Sequence, residues 1–209
     1  MKKTAAILFL VMVLTSCAPT ATATEQTPVG ISTGIPTSAT DLTSELDSNV
    51  DILANLPAVD CKAGLTPLNQ EGPYFKEGSP ETTTFFVDGT QGTRLILAGQ
   101  VLNQDCLPIP GAKIDFWQTD AEGEYDNTGY AFRGHQFTDN KGRYYLDTVL
   151  PGLYDSRPIE HIHVKVTSPS GEVLTTQLYF PEQPVDGLTV QLEDHGSYQL
   201  GIFNFVVQN

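Results

Sequence analysis

Apolar and polar positions alternate with a period of two over much of the chain beyond residue 94. Leu95, Leu97 and Gly99 fall on one face of an extended segment, Ile96 and Ala98 on the other, and Val101-Leu102 continue it. Lys113-Ile114-Asp115-Phe116-Trp117 repeats the alternation. The turn signal Asp139-Asn140-Lys141-Gly142 precedes a third run, Arg143-Tyr144-Tyr145-Leu146. Ile162, Val164 and Val166 alternate with His161, His163 and Lys165, and Val173 to Phe180 and Gln199 to Val207 complete the set. The pattern predicts about seven short strands joined by turns, with no long helix and no internal repeat. That is an all-β chain, an antiparallel β-sandwich occupying residues 61–209.

The first sixty residues read differently. Met1-Lys2-Lys3 is a short basic start, and the apolar run Ala5 to Leu14 is too short to span a bilayer as a helix. It has the form of an export signal, 1–16. Leu14-Thr15-Ser16-Cys17 resembles a bacterial lipobox, in which the Cys is lipidated and becomes the new N-terminus; an ordinary secretory signal followed by a chance Cys is the alternative. Several acyl chains on Cys17 would provide stable attachment. The expected location is the bacterial cell envelope, outside the cytoplasm, as a membrane-anchored lipoprotein. Residues 17–60 are rich in Thr, Ala and Pro, with no Lys or Arg between Lys3 and Lys62. They read as a disordered tether that buries too little apolar surface to fold, except for one short helix expected over 44–56.

Composition sharpens this picture in two ways. Of 209 residues, 11 are Lys or Arg and 25 are Asp or Glu, a formal charge of -14. Such a polyanion repels phosphate backbones, so nucleic acid is excluded as a partner class. With 18 Gly, 14 Pro and only 17% charged residues, a long helical bundle is excluded as well. Beyond Cys17 two cysteines remain, Cys61 and Cys106. In an oxidising compartment they are expected to pair, at about 3–4 kcal/mol on the chain-entropy model; two buried thiols are the alternative.

The candidate chemistry centres on His161-Ile162-His163. On a strand both imidazoles point the same way, which makes a two-nitrogen clamp for a metal ion. Alone, such a pair is equally well a structural feature. It is accompanied by Pro151-Gly152-Leu153-Tyr154, by Arg157, and upstream by Phe116-Trp117-Gln118-Thr119-Asp120 running on to Gly123-Glu124-Tyr125.

These motifs, with Thr66-Pro67, Glu71-Gly72-Pro73-Tyr74-Phe75, Thr138 to Gly142 and Thr176-Gln177-Leu178-Tyr179-Phe180, resemble the intradiol ring-cleavage dioxygenases, the catechol and protocatechuate dioxygenase family, over about Leu65 to Phe180. The short loop before the histidines and the export signal resemble an exported branch of it. The resemblance implies non-haem Fe(III) held by Tyr125, Tyr154, His161 and His163. It implies that Tyr154 is the tyrosinate that gives way to substrate, that Arg157 lies over the substrate ring and that Gln177 lies near the metal. Catechol and O2 would be the substrates and a muconate-type dicarboxylic acid the product. A trivalent cation would also make the phenolates, ordinarily of pKa about 10, the stable form.

Two departures stand out. Arg157 precedes His161 by four residues, where better-known members have three. The helical N-terminal dimerisation region is missing, so any homo-oligomer would need another surface. A rival reading also stays open: a prealbumin-like, non-catalytic binding module on the cell surface, which shares the architecture but has no use for the four ligands. A His/Tyr site holding copper or zinc is a further alternative. Among the remaining residues, Trp117 reads as core, Arg133 as a salt-bridge partner, His135 as surface or supporting, His195 as a loop residue, and Tyr74 as lining the pocket mouth.

Overall fold

The computed structural model describes residues 51–154 and 157–208. The expectations for residues 1–50, namely the export signal, lipidated Cys17 and most of the tether, lie outside these. Of the helix expected over 44–56, residues 51–56 are described: 51–54 are helical, and the helix ends at a turn at Asn55.

Nine strands form among the described residues: β1 (Arg94–Leu102), β2 (Lys113–Trp117), β3 (Arg133–Phe137), β4 (Arg143–Val149), β5 (His161–Thr167), β6 (Val173–Tyr179), β7 (Gln191–Asp194), β8 (Gln199–Ile202) and β9 (Phe205–Val206). They make two sheets, one ordered β4-β1-β8-β7 with β9 also on β1, the other β3-β2-β5-β6. The second is antiparallel throughout; in the first, β1 runs parallel to β8 and β9. The core lies between the sheets, where Leu95, Leu97, Ile114, Phe116, Leu146, Ile162, Val164 and Leu178 pack together. The β-sandwich is the fold that the alternation predicts.

Two elements differ from the pattern. Strand β3 carries Arg-Gly-His-Gln-Phe, which has no β-branched residue; its pairing with β2 makes it a strand. The single strand expected over 199–207 divides at Phe203-Asn204. There the side-chain oxygen of Asn204 accepts from the N–H of Gln100 at 2.9 Å, in place of a backbone carbonyl.

Cys61 and Cys106 are disulfide-bonded, with Cα atoms 5.7 Å apart across a separation of 45 residues. The bond ties the short 3-10 turn Cys61–Ala63 to the turn after β1. Reduction is expected to lower stability by about 3–4 kcal/mol. Denaturant titrations with and without reductant measure it; coincident midpoints would contradict it.

Candidate metal centre

The register of three strands builds one wall of the site. Trp117 of β2 pairs with His163 of β5, which pairs in turn with Gln177 of β6, and His161 pairs with Tyr179. Because Ile162 and Val164 enter the core, Trp117, His161, His163 and Gln177 project from the opposite face of the sheet, where the Tyr179 hydroxyl bonds Gln177 while its ring also packs on the core. Trp117 is therefore buried but lies outside the intersheet core. Its indole lies flat on the His163 imidazole, with centroids 4.9 Å apart and an interplanar angle of 5°.

Residues 69–75 run across that face and close it. Asn69 N–H donates to the Thr175 carbonyl at 3.0 Å, Gln177 Nε2 donates to the Gln70 carbonyl at 2.6 Å, and Lys165 pairs with Glu71. Gly72 lies against the His163 ring with φ 73°, and a Cβ added there would stand 2.9 Å from Cε1. His161 and His163 are left only 3% and 1% exposed.

The two imidazoles converge, with Nε2 atoms 3.2 Å apart. His161 Nδ1 lies 2.7 Å from the Ile159 carbonyl. A carbonyl only accepts, so Nδ1 carries the proton and Nε2 keeps its lone pair. Burial lowers the pKa of His161 to about 4; the Ile159 carbonyl works against this and the Arg157 charge with it. Burial, then the neighbouring His161 and Arg157, lower His163 to about 2. Both rings are thus neutral near pH 7. An unfolded chain would protonate them near pH 6.5, so without metal the fold loses stability as pH falls from about 6.5 towards 4. Denaturant midpoints of metal-free protein across that range test this; a flat profile would contradict it.

The two phenols arrive on loops that share backbone contacts. A Cβ on Gly123 would stand 1.9 Å from the Leu153 carbonyl oxygen, and one on Gly152 would stand 2.4 Å from both the Ala121 oxygen and the Gly123 nitrogen. Gly152 N–H also donates to the Asp120 carbonyl at 2.7 Å. Two residues beyond each glycine stand Tyr125 and Tyr154, with ring centroids 5.7 Å apart. Tyr154 lies 6.0 Å from His161, and Tyr125 lies 6.3 Å from His163. Tyr154 is half-buried, whereas Tyr125 is 8% exposed and its hydroxyl has no hydrogen-bond partner among the described residues. Burial first, and Tyr154 second, push the Tyr125 phenol well above its usual range, against the pull of Arg133 and Arg157. Tyr74 stacks on Tyr125 at 4.1 Å and helps line the pocket.

Arg157 is held beside His161. Its Nη2 donates to the Tyr179 hydroxyl at 2.8 Å, and that hydroxyl donates to Gln177 Oε1 at 2.7 Å. Asn69 Nδ2 also donates to Tyr179, at 3.2 Å. The part played by Tyr179 was not anticipated, although its i+2 spacing from Gln177 on a strand puts both on one face. Among the described residues Arg133 has no salt-bridge partner: its guanidinium donates to the Asp126 and Tyr74 carbonyls and lies 5.6 Å from the Tyr125 ring. His135 bonds Ser79 at 3.1 Å, and His195 stacks on Tyr198 in the turn after β7; neither joins the imidazole pair.

Among the described residues, no group of three or more His, Cys, Asp and Glu is placed to hold a metal ion. The two imidazoles are complemented by phenols instead. Two Nε2 atoms 3.2 Å apart match adjacent ligands of one ion, which stand about 3 Å apart when metal–nitrogen bonds are roughly 2.0–2.1 Å. With the unpartnered Tyr125 hydroxyl beside them, the donors fit a hard, highly charged cation.

A gain of bulk at Gly72 should therefore reach the site. Gly72→Ala is expected to reduce metal affinity by roughly 10–100-fold, the usual cost of disturbing a ligand's support. Gly171→Ala is the control, since Gly171 has a similar φ of 94° and nothing within 4 Å of an added Cβ. Equal metal titrations for the two variants would contradict the contact's role.

The dioxygenase family model matches residues 70–189. Catechol 1,2-dioxygenase of Pseudomonas sp. (strain EST1001) is 31% identical over 159 residues, covering 62% of this chain and 52% of that protein. The chain spans about half the length of the curated relatives it matches first. Among solved structures, the dioxygenase domain of a dioxygenase–carbohydrate-binding protein fusion from the cellulolytic bacterium Streptomyces sp. SirexAA-E is 44% identical with a TM-score of 0.66, covering 69% of this chain and 98% of that one. The 3-chlorocatechol 1,2-dioxygenase of Rhodococcus opacus 1CP shares the fold, at TM-score 0.64 and 24% identity over 82% of this chain and 90% of that one. A β-sandwich with a buried His/Tyr face is the class that fold and site define. The chain belongs to the intradiol ring-cleavage dioxygenase family.

Proposed function

We propose that this chain is a non-haem Fe(III) intradiol dioxygenase, with the metal held by Tyr125, Tyr154, His161 and His163. The observation that carries this reading is the convergence of two neutral imidazoles beside a buried phenol hydroxyl that has no other partner. Fe(III) held there would supply Lewis acidity and an electron-accepting centre that makes a catechol ring reactive towards O2. The overall change adds both oxygen atoms to catechol and opens the bond between the two hydroxyl-bearing carbons, giving a muconate-type dicarboxylic acid.

The protein's own groups divide the remaining work. Tyr154, the less buried phenol, would swing aside and, as the phenolate released from the metal, take one of the two protons the incoming catechol gives up, the other passing to solvent. Tyr125, buried under Tyr74, stays in place. Arg157 lends positive charge to the oxygens that become negative, and Gln177 holds its anchor Tyr179. Closure by residues 69–75 excludes water from the histidine side. The lipobox-like segment ending at Cys17 supports attachment to the cell envelope; loss of fatty-acid labelling in Cys17→Ser tests that separately.

The test of the central reading is an absorption spectrum of the iron-loaded protein with iron quantified on the same sample. A visible charge-transfer band that moves to longer wavelength with catechol is expected, with one O2 consumed per muconate formed. A colourless protein after iron reconstitution would overturn the reading.

A further inference from the structure

In front of the two phenols lies an open cavity of about 320 Å³. Its floor is Tyr125 and Tyr154, its apolar walls are Tyr74 and Leu153, and its rim carries Glu122 and Glu124. Among the described residues, no Lys or Arg lines it. The buried, unpartnered Tyr125 hydroxyl marks the end at which a ligand's polar atoms belong. Both glutamates are exposed, and neither carboxylate has an ion-pair partner among the described residues. Their backbone N–H groups donate to Asp120 Oδ1 at 3.0 and 2.8 Å, which fixes the loop that carries them.

The two arginines near the site act at its phenol end, where a catechol's oxygens belong, and neither lines the cavity at the rim. Arg133 is buried and donates to the Tyr74 and Asp126 carbonyls, and Arg157 is engaged by Tyr179. A catechol must turn its two hydroxyls towards the phenol floor. Substituents on the far side of its ring then face the glutamates.

We propose that Glu122 and Glu124 make this a site for catechols with uncharged or cationic ring substituents, and that they select against catechols carrying a ring carboxylate. The inference rests on the dioxygenase reading and names its substrate class. A carboxylate at the rim meets two like charges in a partly screened setting, so discrimination of roughly tenfold or more is expected at low salt, weakening as salt is added.

The test titrates the iron-loaded full chain, without O2, with 4-methylcatechol and with 3,4-dihydroxybenzoate, reading dissociation constants from the absorption change. Initial rates with O2 follow. The wild type is expected to bind the methyl compound at least tenfold more tightly at low salt. Glu122→Gln/Glu124→Gln should narrow the ratio to within about threefold and remove most of its salt dependence. Glu122→Lys, a second variant on the exposed rim, should move the ratio further towards the carboxylate. Equal wild-type binding of the two ligands, or a ratio unchanged in the Gln double variant, would overturn the proposal while leaving ring cleavage intact. If neither compound binds or is cleaved, the dioxygenase reading fails and this inference with it.

Discussion

Tyr125→Phe is expected to give a more stable metal-free protein that has lost its chemistry. The variant keeps the ring that stacks under Tyr74 at 4.1 Å and deletes a buried hydroxyl that has no partner. An unsatisfied buried polar group costs roughly 1–3 kcal/mol, so its removal should raise metal-free stability by about 1–2 kcal/mol. The proposed iron site would lose one of four ligands. Even supporting groups around a metal are worth about 10–100-fold, so turnover should fall by more than 100-fold. The visible band should weaken on the same sample. Denaturant melts, iron content and O2 uptake together check this. A variant that is less stable without metal, yet retains colour and rate, would show that Tyr125 is a packing residue.

The second large effect concerns Arg157. Arg157→Gln removes the positive charge beside the site, and loss of one such stabilising group commonly costs about 10²–10³ in kcat. KM should move much less. Tyr179→Phe removes the acceptor that aims the guanidinium and the donor to Gln177, so it should lower kcat in the same direction, by about tenfold. If Tyr179 acts through Arg157, the double variant will be no slower than Arg157→Gln alone. Multiplicative losses would give Tyr179 an independent role. The arrangement also accounts for an arginine placed four residues ahead of His161: Tyr179, paired with His161 across β5 and β6, receives it there.

What the sequence made legible follows from its periodicities. The His161-Ile162-His163 triplet on an alternating strand placed two imidazoles on one face, and the sheets put Ile162 in the core as that alternation requires. Tyr125 and Tyr154, read from motifs, lie beside those imidazoles. Cys61 and Cys106 are bonded. The features that escaped notice depend on register or on distant packing. Trp117 follows core-facing Phe116, and only its pairing with His163 shows that its indole serves the outer face. Gly72 meets His163, 91 positions further along the chain, a contact no local pattern encodes. Arg133 carries no local sign that its partners are carbonyls. Strand β3 has no intrinsic preference to announce it.

The glycine contacts between the Tyr125 and Tyr154 loops have a consequence for protein engineering and for descent. With Gly123 against Leu153 and Gly152 against Ala121, neither loop can put a side chain at its glycine without a backbone collision with the other. Segments 119–125 and 151–154 form one exchangeable cassette. Chimeras with other sandwich dioxygenases should succeed when both segments come from one parent. Recombination that splits them will yield folded cores whose two phenols no longer share an address.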